Sequence, residues 1–230
     1  MESKLIMNTY LNRMVNTLPI LKFAVLCLSL MSFNLLANDA DTQSSTNTHQ
    51  IPDPQKLVET TTNALLKNLR DNKPLYEGNP SALYAMVDDV VLPHFDFGRM
   101  SRLVLGQHWK KASDEQKTAF VTEFRNLIVR TYALSLLKFT NQTIEYKPLK
   151  GDIAKKRVIV GLNVVDKAAQ ITIPVEYAMY LPGDNWKVYD VKVDNISLVI
   201  NYKSTYSETV RRNGLDALIA TLAEKTSLSK

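Results

Sequence analysis

Val158, Val160, Leu162 and Val164 sit at every second position, and Ile171, Ile173, Val175, Tyr177 and Met179 repeat the pattern a few residues later. A period of two puts each set on one face of an extended strand. Asp166 to Gln170 between them reads as a turn, so the two strands form a hairpin whose apolar face must be covered. Thr143 to Tyr146 and Trp186 to Val193 are also rich in β-branched and aromatic residues, and Pro182-Gly183-Asp184 supplies another turn. With strands over Val158 to Val165 and Ile171 to Leu181, the prediction is a curved four-stranded antiparallel meander. Pro174 lacks an N–H for the ladder, so a bulge or an edge position is expected there.

The cover comes from helices. Asp53-Pro54 and Asn79-Pro80 each pair an N-cap with proline at the first helical position. The first helix carries Val58, Thr62, Leu65 and Leu69 on one face, and the second reaches Leu92 before Pro93 stops it. Asp96 caps a short helix through Val104. Ser113 and Gln116 form a capping box, opening a long helix to about Thr140. Its first half is amphipathic through Phe120, Phe124, Leu127 and Ile128, whereas Val129 to Phe139 is apolar on nearly every side and calls for cover all round. Helices follow over Leu198 to Arg212 and Leu215 to Leu222, divided at Arg211-Arg212-Asn213-Gly214. The fold class is α+β, with several helices packed on one sheet.

Residues 1–37 read as a signal peptide. Lys4, Arg13 and Lys22 precede an apolar run from Phe23 to Leu36, and Ala37 closes it. The run falls short of the ~20 residues that span a bilayer. Residues 38–50 are polar and read as a flexible leader. One domain is expected over 51–230. The only cysteine, Cys27, lies in the signal segment behind Leu26, too bulky for lipoprotein processing, so disulfides and thiolate chemistry are excluded from the mature chain. The net charge of +5 is spread among interspersed acids, with no basic stripe to follow a nucleic acid.

Catalytic motifs are sparse. His49 falls in the leader. His94 with Asp96 could supply two metal ligands, but a site needs a matched set. His108-Trp109 reads as packing at a helix end. Asp88-Asp89 and Asp114-Glu115 are adjacent acids whose side chains diverge on a helix. No nucleotide loop, nucleophile elbow or zinc-protease motif occurs. No cofactor and no metal are expected.

Three stretches carry a family likeness: MVDDVVLPHFDF from Met86, LVLGQHWKKASDEQKTAFVTEFRNLIVRTY from Leu103, and YDVKVDNISLVINYKSTYSETVRRNGLDALIATL from Tyr189. Together they resemble the MlaC family, also called the toluene-tolerance auxiliary family. Leu105-Gly106 followed by Trp109, Ser113, Gln116, Phe120 and Phe124 is the most specific part. Asn195 departs from the glycine usual before Ile-Ser, and Lys203 from the usual arginine.

The resemblance implies a monomeric periplasmic phospholipid carrier of the pathway that maintains outer-membrane lipid asymmetry. It would pass lipid between the outer-membrane lipoprotein MlaA, with its porin, and the MCE protein MlaD of an inner-membrane ABC transporter, touching membrane complexes only transiently. Tails would lie between sheet and helices. Val160, Leu162, Ile173, Val175, Tyr177, Tyr189 and Val191 are the candidate sheet contacts, with Tyr132, Leu136 and Leu198 from helices. Arg99, Arg102, Lys110 and Lys111 around the short helices are candidates for docking to partners. Two other readings stay open: a periplasmic enzyme on a cone-shaped α+β fold using His94 and Asp96, and an adaptor that binds proteins but no ligand.

Overall fold

The computed structural model describes residues 51–138 and 141–227; the signal peptide, the leader with His49, and the expected end of the long helix at 139–140 lie outside them. Helices α1 (Pro54–Asp71), α2 (Lys73–Gly78), α3 (Pro80–Val90), α4 (Phe97–Leu105) and α5 (Asp114–Leu136) precede the strands. Each expected cap is made. Asp53, Asn79, Asp96 and Ser113 accept backbone N–H bonds at the starts of α1, α3, α4 and α5, and Ser113 with Gln116 closes the capping box. These side chains satisfy N–H groups that the first helical turn leaves open.

The expected strands are β1 (Thr143–Tyr146), β3 (Arg157–Asp166), β4 (Ile171–Tyr180) and β5 (Lys187–Val193). Two short strands extend the sheet: β2 (Lys150–Asp152), paired to β3, and β6 (Ile196–Ser197), paired to β5. The main order is β1-β3-β4-β5-β6, all antiparallel. Helix α6 (Leu198–Ser227) completes the chain.

Two expectations about the strands and the long helix need correction. Pro174 is neither on an edge strand nor at the bulge, which lies between Ala178 and Met179. Its carbonyl accepts from Asp194 N at 2.9 Å, one residue beyond the Val175–Val193 pair. The missing N–H therefore falls where the β4–β5 ladder ends, and few bonds are lost. The long helix stops at Leu136, and Leu134 remains 44% exposed, so its apolar half is not covered all round. Val129 and Ala133 instead bury against Leu69, Tyr76, Leu83, Met86 and Val87 of α1, α2 and α3.

A second core joins α5 to α6. Phe124 meets Tyr202 edge-on at 5.3 Å between ring centres, and Phe120 stacks on Phe124 at 5.7 Å. Helix α6 breaks at Gly214, at φ 84° and ψ 168°, as the Asn213-Gly214 stop predicts. Leu215, Leu218 and Leu222 beyond the break are buried, as are Tyr202, Tyr206 and Val210 before it. Among the described residues no helix is long and apolar enough to cross a membrane.

The two departures from the family pattern are accommodated locally. Asp194 and Asn195 both have positive φ, at 51° and 64°, the geometry of a tight hairpin turn between β5 and β6. Asparagine tolerates that region best after glycine. Lys203 passes close to Gly106, where an added Cβ would lie 3.4 Å from its Cε.

Candidate functional site

The sheet has two unlike faces. Strand register aligns Val160 with Tyr177 and Val191, Leu162 with Val175, and Val164 with Ile173. Alternation puts all of these on one face, together with Ile144 and Tyr146 of β1. Val160 and Leu162 are essentially inaccessible, and Ile173, Val175 and Val191 are buried. On the opposite face Glu176 pairs with Lys150 at 2.7 Å and Lys192 at 3.8 Å, and the Lys150 bond holds its carboxyl below the ordinary carboxylate range. There the Lys147 stem lies over Gly161, 3.4 Å from where a Cβ would stand. Charges on one side and branched hydrocarbon on the other leave only the second side available to an apolar ligand.

Six of the seven sheet candidates therefore come together: Val160, Leu162, Ile173, Val175, Tyr177 and Val191. Tyr189 does not join them. The bulge pairs Ala178 with Asp190 and Met179 with Val188, leaving Tyr189 without a partner across β4. Its ring packs against Tyr180 at 5.8 Å, and the Arg99 guanidinium covers both rings at 4.0 and 4.8 Å. Tyr180 alternates with Met179, so this group lies on the other face.

The helical candidates occupy separate places. Leu198 is buried at the first residue of α6. The Tyr132 hydroxyl is 3.4 Å from that of Tyr202, and burial raises the pKa of both phenols. Leu136 packs on the helical core around Leu69 and Leu83.

Tyr177 has an unusual environment. Its residue keeps some accessible surface, yet burial pushes its hydroxyl up to about 12, with Tyr146 adding to the effect. Tyr146 has no counterpart among the candidates read from sequence; a lone tyrosine at the end of a four-residue strand carries no periodic signal.

The basic candidates also divide. Arg102, Lys110 and Lys111 are exposed, and Arg102 lies 5.8 Å from the Trp109 ring centre. Arg99 is not a solvated surface charge but half-buried over the two tyrosines. Asp96 is committed to structure. One carboxylate oxygen caps α4 by accepting from Arg99 N at 2.8 Å, and the other accepts from the Tyr180 hydroxyl. His94 sits where burial, then the charge of Lys187, lowers its pKa. Among the described residues no group of three His, Cys, Asp or Glu could hold a metal.

The protein is of the α+β class, with helices packed on a sheet whose one face is uncharged and whose other face carries ion pairs. The MlaC protein family model matches residues 59–224, and the chain belongs to that family. It is 31% identical over 164 residues to the toluene tolerance protein ttg2D of Pseudomonas putida, covering 71% of this chain and 75% of that one. It is 24% identical over 176 residues to the intermembrane phospholipid transport system binding protein MlaC of Haemophilus influenzae, covering 76% and 82%. Among solved structures, a phospholipid-binding protein from Ralstonia solanacearum in complex with a phospholipid superposes with a TM-score of 0.72 at 27% identity, over 77% of this chain and 99% of that one.

Proposed function

We propose that this protein is a periplasmic carrier of glycerophospholipid and not an enzyme. The observation that carries the reading is the single apolar sheet face centred on Val160, Val175 and Tyr177. The likeness to a phospholipid-bound structure over nearly the whole of that chain supports it. The acyl tails lie against this face, and the headgroup stays near water.

The magnitudes explain why a carrier is needed. Each methylene kept from water is worth ~0.8 kcal/mol, so two acyl chains with roughly thirty methylenes amount to about 25 kcal/mol gross. Lipid does not cross an aqueous gap unaided at a useful rate, and release from the carrier needs partners. MlaA with its porin and MlaD of the ABC transporter fill that role in this reading, with Arg102, Lys110 and Lys111 as the docking charges. The enzyme reading loses support because both oxygens of Asp96 are occupied and the Lys187 charge beside His94 opposes a bound cation there.

Export follows from residues 1–37, and the mature chain begins near Asn38. Intact-mass measurement of periplasmic protein tests this, and retention of those residues would refute it. The central test is lipid extraction from protein purified without detergent. Stoichiometric glycerophospholipid is expected. Protein that is lipid-free, and stays so after incubation with phospholipid vesicles, would overturn the carrier reading in favour of an adaptor.

A further inference from the structure

The apolar side of the sheet carries two phenols among otherwise aliphatic neighbours. Tyr146 pairs with Leu162 on β3, and Tyr177 pairs with Val160 two residues away, so both rings project from the same face. The Tyr146 hydroxyl is buried, and no partner meets it at hydrogen-bonding geometry. Thr62 of α1 is the polar group that approaches it, and Glu59 is the nearby charge. Glu59 already accepts from Gln55 Nε2 at 3.3 Å. The Tyr177 hydroxyl has no hydrogen bond among the described residues. A buried hydroxyl without a partner is costly, so Tyr146, with the unbonded Tyr177 hydroxyl on the same apolar face, calls for an acceptor from outside the chain.

The acceptor is a neutral oxygen. A buried phosphate would need a cation beside it, and the charge recorded near these hydroxyls is the carboxylate of Glu59. Lys147, next in sequence to Tyr146, is turned to the opposite face over Gly161. Building on the carrier reading, we propose that the Tyr146 and Tyr177 hydroxyls donate hydrogen bonds to the ester carbonyl oxygens where the acyl chains of a bound phospholipid join its glycerol. The pair would set how deep the tails enter and select acyl esters over alkyl ethers.

Competition between two lipids with the same headgroup tests this. The protein is incubated with vesicles holding equal amounts of a diacyl phosphatidylglycerol and its dialkyl ether analogue, and bound lipid is measured by mass spectrometry. Wild type should enrich the ester by about tenfold, the value of one to two net hydrogen bonds. Tyr146→Phe with Tyr177→Phe keeps both rings and should bring the ratio close to one. The ratio is internal to each sample, so partial loss of folded protein does not alter it. An equal ratio in wild type, or an unchanged enrichment in the double variant, overturns the proposal while leaving the carrier reading intact. Equal weakening of both lipids would place the hydroxyls on the phosphate and overturn the ester assignment. Uptake of neither lipid by wild type would sink the carrier reading, and this one with it.

Discussion

The guanidinium of Arg99 lies 4.0 Å from the centre of the Tyr180 ring, while the Tyr180 hydroxyl donates to Asp96 at the cap of the same helix. The two contacts lock α4 to the sheet from both ends of one side chain. Burial, then the Asp96 bond, raises the pKa of Tyr180. Tyr180→Phe should cost about 1.5 kcal/mol, the range for a hydrogen bond to a charged group. Arg99→Ala should cost about 1 kcal/mol through the lost ring contact. Urea unfolding midpoints read both, and wild-type midpoints would mean the clamp is incidental.

Filling the apolar sheet face separates a tail recess from close-packed protein. Val160→Trp or Val175→Trp should abolish lipid retention with little loss of lipid-free stability. In a solid core the same change costs ~1–3 kcal/mol through overpacking. Bound lipid and thermal unfolding must be measured together. Normal lipid content with a clear drop in melting temperature would remove that residue from the site.

Leu136 should behave oppositely, since it packs on the helical core around Leu69 and Leu83. Leu136→Ala should lower stability by about 2 kcal/mol and leave bound lipid at the wild-type amount. Loss of lipid at unchanged stability would return it to the binding site.

Lys110 and Lys111 are exposed next to α4 and α5. Reversing both to glutamate should slow association with MlaA or MlaD complexes, and the defect should shrink as salt rises. Identical association rates at low salt would exclude this pair from either interface.

His94 gives the fold a pH dependence. Its folded pKa lies below the ordinary value of 6.5, through burial first and Lys187 second. The unfolded chain thus takes up the proton first. The contribution is present above about 6.5 and is lost as pH falls from there through the folded value. His94→Gln should flatten unfolding midpoints over that window. Equal slopes for wild type and variant would show that the histidine is not responsible.

Much of this architecture was readable because its signals are local. Asp53, Asn79, Asp96 and Ser113 act within their own helix turns, and each caps as its sequence context indicates. Val158 to Val164 needed only the period of two. The short elements were not readable. Helix α2 has no side-chain cap, and β6 is two residues held by its pairing to β5. Tyr189 leaves the face of Val191 because a bulge shifts the parity of everything beyond it, and alternation cannot show a bulge. Arg99 resembles any surface arginine until the fold brings two tyrosines beneath it. The placing of Tyr146 and Tyr177 on one face depends on register across three strands, which no single stretch of chain encodes.

The break in α6 is set by handedness rather than by room. Gly214 has φ 84° and ψ 168°, a region open to glycine alone among the natural residues. Yet a Cβ built there meets nothing within 4 Å. Its mirror-image torsions lie in the extended region that L-residues adopt freely. L-Alanine at this position should therefore force a new path between Val210 and Leu215 even though its methyl finds room. The position excludes a side chain by its chirality and not by its size.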